Sequence, residues 1–159
     1  MRLEYFQMLD AVERIDAAGA ILAVAKVPNA SSVFEGHFPG YPVLPGVLLL
    51  ETMAQASGYM LIALEGFRRM AFFAKATEAN FRAFVNPGDE LSVEAQRVHA
   101  GSGYAVTRAV VRRSGDRVAD AQLMFRLVPF VSAGLEQHVR AEGQRLGFLS
   151  GAPKEASGA

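Results

Sequence analysis

The spacing of apolar and polar positions divides this chain into stretches of different kinds. Leu91, Val93 and Ala95 alternate with Ser92, Glu94 and Gln96; Ala119, Ala121, Leu123, Phe125 and Leu127 alternate with Asp120, Gln122, Met124 and Arg126. A period of two marks strands with one face turned inward. Between them, GYAVTRAVV is rich in β-branched and aromatic residues, which fit a pleated surface. Gly101-Ser102-Gly103 and Ser114-Gly115-Asp116 supply turn chemistry, so the three segments read as a meander of antiparallel hairpins. Asn86-Pro87-Gly88-Asp89 is a further turn, and it separates the meander from a strand over about Met70–Val85. Near the N-terminus, Met8–Ile15 and Ala20–Val27 read as a pair of strands around Ala17-Ala18-Gly19.

Val43 to Leu64 shows no such alternation. The run VLPGVLLLETMAQASGYMLIAL approaches the length of a membrane span, but Glu51, Gln55 and Ser57 interrupt it. A carboxylate at mid-bilayer costs several kcal/mol, about 2.5–3.5 for the related Asp. The segment is therefore expected to be a soluble helix over about Gly46–Glu65, roughly 30 Å long and buried nearly all round. Ala54 and Gly58 lie four apart on one face, where another backbone could come close. After Phe130 the spacing predicts a short amphipathic helix over about Ser132–Leu146, with Leu135, Val139 and Leu146 inward. Glu136 and Arg140 form an i,i+4 pair on it. One long helix against a long antiparallel sheet is an α+β architecture. The division expected is a domain over 1–131, a helical extension over 132–149 and a disordered tail over 150–159.

Composition adds limits. Apolar residues make up 51% of the chain and charged residues 20%, which is globular. With no cysteine, disulfide and thiolate chemistry are excluded. A formal net charge of zero gives no global case for nucleic acid or membrane binding. Arg68–Arg69, Arg82 and Arg112–Arg113 read either as a local positive patch for an anionic partner or as ordinary solvated arginines. The opening MRLEYFQMLD lacks a basic region followed by an apolar core, so a cytoplasmic location is the expectation.

Chemistry concentrates between Glu35 and Gln55. Prolines 39, 42 and 45 and glycines 36, 40 and 46 surround a single histidine, His37. Such a loop is stiff, and a stiff loop can hold a general base in one place. Pro45-Gly46 opens the long helix, whose first N–H groups lack intrahelical partners and carry the positive end of the macrodipole. They suit a developing oxyanion, and glycine lets a carbonyl approach the backbone. Glu51, flanked by Leu48–Leu50 and Met53, sits where desolvation favours the protonated form, hence a proton donor. Gln55 is one turn on and is placed to orient it. A base, an acid and an oxyanion site suit proton removal α to a thioester with loss of a β-hydroxyl. The competing reading of Glu51 is a salt bridge to an arginine. His99 and His138 read as surface residues, and two free histidines without cysteine give a metal site little support.

The run GHFPGYPVLPGVLLLETMAQ closely resembles the signature of FabZ-type 3-hydroxyacyl-[acyl carrier protein] dehydratases. Asp10-Ala11-Val12, Phe81-Arg82, Val85-Asn86-Pro87-Gly88-Asp89 and Ala121–Phe125 extend the resemblance over roughly residues 5–130. It implies a hot-dog fold, in which the sheet wraps a central helix, and a homodimer or trimer of dimers. It further implies His37 and Glu51 meeting across the dimer interface, the Gly46 N–H polarising the thioester carbonyl, and an acyl tunnel along the helix. The implied substrate is a (3R)-hydroxyacyl chain on acyl carrier protein phosphopantetheine, with no cofactor and no metal. Three departures stand out. A Leu-Pro-His-Arg element before the first strand is missing, Thr77-Glu78-Ala79-Asn80 replaces a basic run, and the helix after Phe130 is extra. Together they resemble a branch with a dedicated carrier and very-long-chain hydroxy fatty acids of lipid A. A hot-dog thioesterase using Glu51 to activate water, and a non-catalytic scaffold for acyl carriers, are the alternatives.

Overall fold

Inward-facing residues on alternate positions must find one common layer to cover, and here that layer is a single helix. The computed structural model describes residues 1–149; the tail expected to be disordered lies outside the described residues. The strands are β1 (Ala11–Ile15), β2 (Ala20–Lys26), β3 (Arg69–Phe81), β4 (Glu90–Gly101), β5 (Tyr104–Arg113) and β6 (Asp116–Pro129). They form one antiparallel sheet in the order β1-β2-β4-β5-β6-β3. The β4-β5-β6 meander and the β1-β2 hairpin are as the turn chemistry predicts. The joins of β2 to β4 and of β3 to β6 are long-range and carry no local signal.

The helix α2 (Gly46–Leu64) touches every strand from β2 to β6. Leu91, Val93 and Ala95 of β4 and Ala119, Ala121, Leu123 and Phe125 of β6 are buried, as their alternation requires. This is the hot-dog arrangement. One buried polar bond fixes α2 against the sheet: the Thr107 hydroxyl donates to Ser57 Oγ at 2.9 Å, with both residues fully buried.

The helix is not buried all round. Ten of its residues are buried, but Val47 is exposed and Glu51, Gln55, Tyr59 and Ala63 are only partly covered. These five recur every four residues, which makes one open stripe along the helix. At Gly58 the nearest neighbour among the described residues is a side chain rather than another backbone. A Cβ on Gly58 would stand 3.8 Å from the Phe125 ring, and the space beside it is an open groove.

Strand ends also differ from expectation. β1 starts at Ala11 because Met8 and Leu9 are buried and their backbone serves side chains elsewhere: Met8 N–H donates to Gln55 and the Leu9 carbonyl accepts from Arg145. β3 stops at Phe81, and Val85, 1% exposed, turns into the core and takes the Leu44 N–H on its carbonyl. A 3-10 turn at Leu3–Tyr5 and the five-residue helix α1 (Ser32–Gly36) have too few residues for a period. Ser31 caps α1, its hydroxyl accepting from Val33 N–H at 3.2 Å. The last helix, α3 (Ala133–Leu146), is capped by the Ser132 hydroxyl and closed by Gly147 at φ +87°. Val139 and Leu146 are buried, Leu135 is partly buried, and Arg140 donates to Glu136 at 2.9 Å.

Candidate active site

His37 stands at the end of α1, where the proline-glycine loop folds back on itself. Phe38 and Tyr41 exchange backbone bonds of 3.0 and 2.9 Å, and Val43 N–H donates to the His37 carbonyl at 3.0 Å. Gly40 carries the turn at φ +74°, a conformation favouring glycine. The ring Nδ1 lies 2.9 Å from the Val43 carbonyl. A carbonyl only accepts, so Nδ1 carries the hydrogen and Nε2 is left with a free lone pair. The Phe38 ring stacks on the imidazole at 4.1 Å. The loop therefore fixes both the orientation and the tautomer of a base.

Gly46 opens α2 behind Pro45, and no side chain caps the helix there. A Cβ on Gly46 would lie 3.2 Å from the Phe81 ring. At Gly46 the backbone packs closely under Phe81, and no side chain caps the first turn, where Leu48 N–H donates to the Pro45 carbonyl at 2.9 Å.

Glu51 and Gln55 are brought together, Gln55 Nε2 donating to Glu51 Oε1 at 2.9 Å. Gln55 is itself held by the N-terminal segment. Its Oε1 accepts from Met8 N–H at 3.0 Å and its Nε2 also donates to the Phe6 carbonyl at 2.6 Å. This clamp has no signal in the sequence, because residues 6–8 carry no motif that points to Gln55, 47 and 49 positions away. Glu51 is half-buried rather than enclosed, and among the described residues it makes no ion pair. The salt-bridge reading of this carboxylate is therefore not met.

Below Glu51 runs a groove of about 230 Å³. Ala54, Gly58 and Ile62 of α2 form one wall, with Met70, Phe73 and Phe125 opposite. Tyr59 also lines it; burial, reinforced by the Glu142 carboxylate, pushes its phenol up to about 12, so it presents a neutral hydroxyl. A carboxylate and an amide at one end of an apolar slot can bind an acyl chain with a polar group near its head. His37 does not line this groove, and no hydrogen bond or ion pair joins it to Glu51 among the described residues.

Of the five arginines that read either as a positive patch or as ordinary solvated residues, four are paired with carboxylates. Arg69 pairs with Glu65, Arg82 with Asp120, Arg112 with Glu94 and Arg113 with Asp89. Over Thr77–Asn80 β3 bulges: Glu78 has φ +54°, and Asn80 donates to its carbonyl and to Asp120. His99 bonds the Tyr104 hydroxyl at 2.9 Å on the sheet surface.

Residues 2–122 match the FabA-like domain family. The 3-hydroxyacyl-[acyl-carrier-protein] dehydratase FabZ of Enterococcus faecalis is 37% identical over 123 residues, 77% of this chain and 87% of the relative. That of Pelotomaculum thermopropionicum is 38% identical, covering 76% and 86% respectively. Among solved structures, a conserved protein of Pseudomonas aeruginosa is similar with a TM-score of 0.63 and 25% identity, covering 79% of this chain and 91% of that one. A hypothetical thioesterase with coenzyme A from Streptococcus pneumoniae has a TM-score of 0.61 and 20% identity, covering 76% and 87%; at that identity the likeness shows the fold alone. On the sequence relatives, with the fold in agreement, this chain belongs to the FabZ-type 3-hydroxyacyl-[acyl-carrier-protein] dehydratase family.

Proposed function

We propose that this protein dehydrates (3R)-hydroxyacyl thioesters of acyl carrier protein to trans-2-enoyl thioesters in fatty acid synthesis, with His37 as base and Glu51 as acid. Nε2 of His37 takes the α-proton, the Cα–Cβ double bond forms, and the β-hydroxyl leaves as water with a proton from Glu51. The imidazolium then returns a proton to the carboxylate. The Gly46 N–H at the open end of α2 polarises the thioester carbonyl while charge builds on it. Gln55 holds Glu51 toward the groove. The observation that carries this reading is Glu51 at the head of an apolar groove, without an ion pair and bonded only by Gln55 among the described residues.

The active unit is a homodimer, alone or in a trimer of dimers, in which His37 of one subunit faces Glu51 of the other. β3 supports this, as a 13-residue edge strand with Phe72, Phe73 and Phe81 exposed. An edge that long and apolar calls for cover by a partner. Val47 on α2 and Phe38, Tyr41 and Phe84 are further exposed apolar side chains that a partner would cover. Residues 1–131 form the catalytic domain and α3 is an addition to it. A soluble carrier substrate fits a cytoplasmic enzyme. The bulge at Thr77–Asn80 supports a dedicated carrier; whether its cargo is the very long chain of the lipid A branch depends on how far the groove runs.

Enoyl absorbance and free thiol, followed together on a 3-hydroxyacyl carrier substrate, test the chemistry. Enoyl formation is lost in both His37→Ala and Glu51→Gln, and mixing the two inactive proteins restores part of it through hybrid dimers. Wild-type dehydration by Glu51→Gln refutes the mechanism, and thiol release without enoyl product identifies a thioesterase instead.

A further inference from the structure

We infer that the added helix α3 sets the acyl chain length, with Val139 as the end wall of the groove below Glu51; the inference rests on the dehydratase reading. The groove follows α2 from Glu51 to Ile62, eleven residues and so about 16 Å along the helix axis. Glu51 and Gln55 stand at its head. At its other end Ile62 and Val139 pack together, in a small cluster with Phe67 that is separate from the main core. Val139 is 8% exposed and lines the same groove as Glu51. An acyl chain that enters past Glu51 and runs down α2 therefore meets the side chain of Val139.

This wall lies outside the part of the chain that matches the family, which ends at residue 122. It is also firmly seated. Leu146 is buried in the main core, and the carboxylate of Glu142, 8% exposed, takes three bonds of 2.8–3.1 Å from Arg145 and one of 3.0 Å from Gln7. Arg145 also donates to the Leu9 carbonyl at 3.1 Å. A wall braced on both sides discriminates by volume, since a chain too long by a methylene or two must displace Val139 or bend. Without Val139 the groove would continue toward the Phe67 ring.

The test is the ratio of kcat/KM for 3-hydroxyhexadecanoyl over 3-hydroxyoctanoyl pantetheine thioester, with melting temperature as the folding check. Val139→Ala raises the ratio about tenfold or more and Val139→Phe lowers it by a similar factor. Leu135→Ala, on the same helix and in the same cluster but off the groove, leaves the ratio unchanged. A ratio within about twofold of wild type in Val139→Ala overturns the inference while leaving the dehydratase reading intact, whatever Val139→Phe does. The same shift in Leu135→Ala also overturns it, because α3 would then act by general loosening. If wild type dehydrates neither thioester nor a carrier-bound substrate, the functional reading fails and this inference with it.

Discussion

Replacing Gln55 by methionine separates what the clamp does for folding from what it does for chemistry. The side chains are similar in volume, so the change removes three polar contacts without leaving a large cavity. The contacts are unequal. Phe6 is 61% exposed, and its carbonyl can turn to water at little cost. Met8 is fully buried, and Gln55 Oε1 at 3.0 Å is the partner of its N–H. An unsatisfied buried amide costs about 1–3 kcal/mol. For a chain of this size each kcal/mol lowers the melting temperature by about 2–4 °C, so a fall of roughly 2–12 °C is expected. The contact with half-exposed Glu51 adds little to stability but decides where the carboxyl points. Assayed well below the melting temperature, Gln55→Met lowers kcat about tenfold, equivalent to about 1.4 kcal/mol, and leaves KM nearly unchanged. Thermal denaturation by circular dichroism and steady-state kinetics read the two effects apart. A melting temperature within about 1 °C of wild type would refute the claim that Met8 N–H depends on this side chain. A rise in KM with kcat intact would refute the positioning of Glu51.

Gly46→Ala adds a methyl 3.2 Å from the Phe81 ring, in the space a thioester carbonyl would need. Phe81 is about half exposed and can shift, so stability changes by less than about 1 kcal/mol while kcat/KM falls about 100-fold; near-normal turnover would rule out the Gly46 amide as the oxyanion donor. Asp120 is held below its ordinary value of 3.8, chiefly by the Arg82 hydrogen bond and also by Asn80. A depressed folded value contributes stability that is present above the unfolded value and lost as pH falls through the folded one. Asp120→Asn therefore flattens the acid side of the stability profile: urea midpoints differ from wild type above the ordinary value of 3.8 and the difference shrinks as pH falls below it.

Much of the fold is legible because its cause is local. The alternation in β4 and β6 and the Gly-Ser turns between β4, β5 and β6 need only neighbouring residues to be read. The joins of β2 to β4 and β3 to β6 come from the sheet closing around α2, and no window along the chain contains that. His37, Gly46, Glu51 and Gln55 stand out for the same local reasons: a proline-stiffened loop, a helix start, and polar side chains in an apolar run. Their supports do not. Gln55 is gripped by backbone 47 and 49 residues away, and Glu142 reaches Gln7 across 135.

α2 departs furthest from its sequence pattern. Its mean composition reads as a helix buried on every side, yet Val47, Glu51, Gln55, Tyr59 and Ala63 keep one stripe open. Two of the five are polar and one carries a phenol, a pattern at the period of four that an average over the segment hides. A wholly structural helix in this position has no use for Glu51 and Gln55 on one face, because each costs burial energy unless paired. They persist here with each other as partners, above a groove whose far end is a helix the family match does not include. The stripe is therefore where folding and function compete on this helix. The Val139 and Gln55 substitutions probe that competition at its two ends, one by the length of chain accepted and the other by the rate of the proton transfer proposed for Glu51.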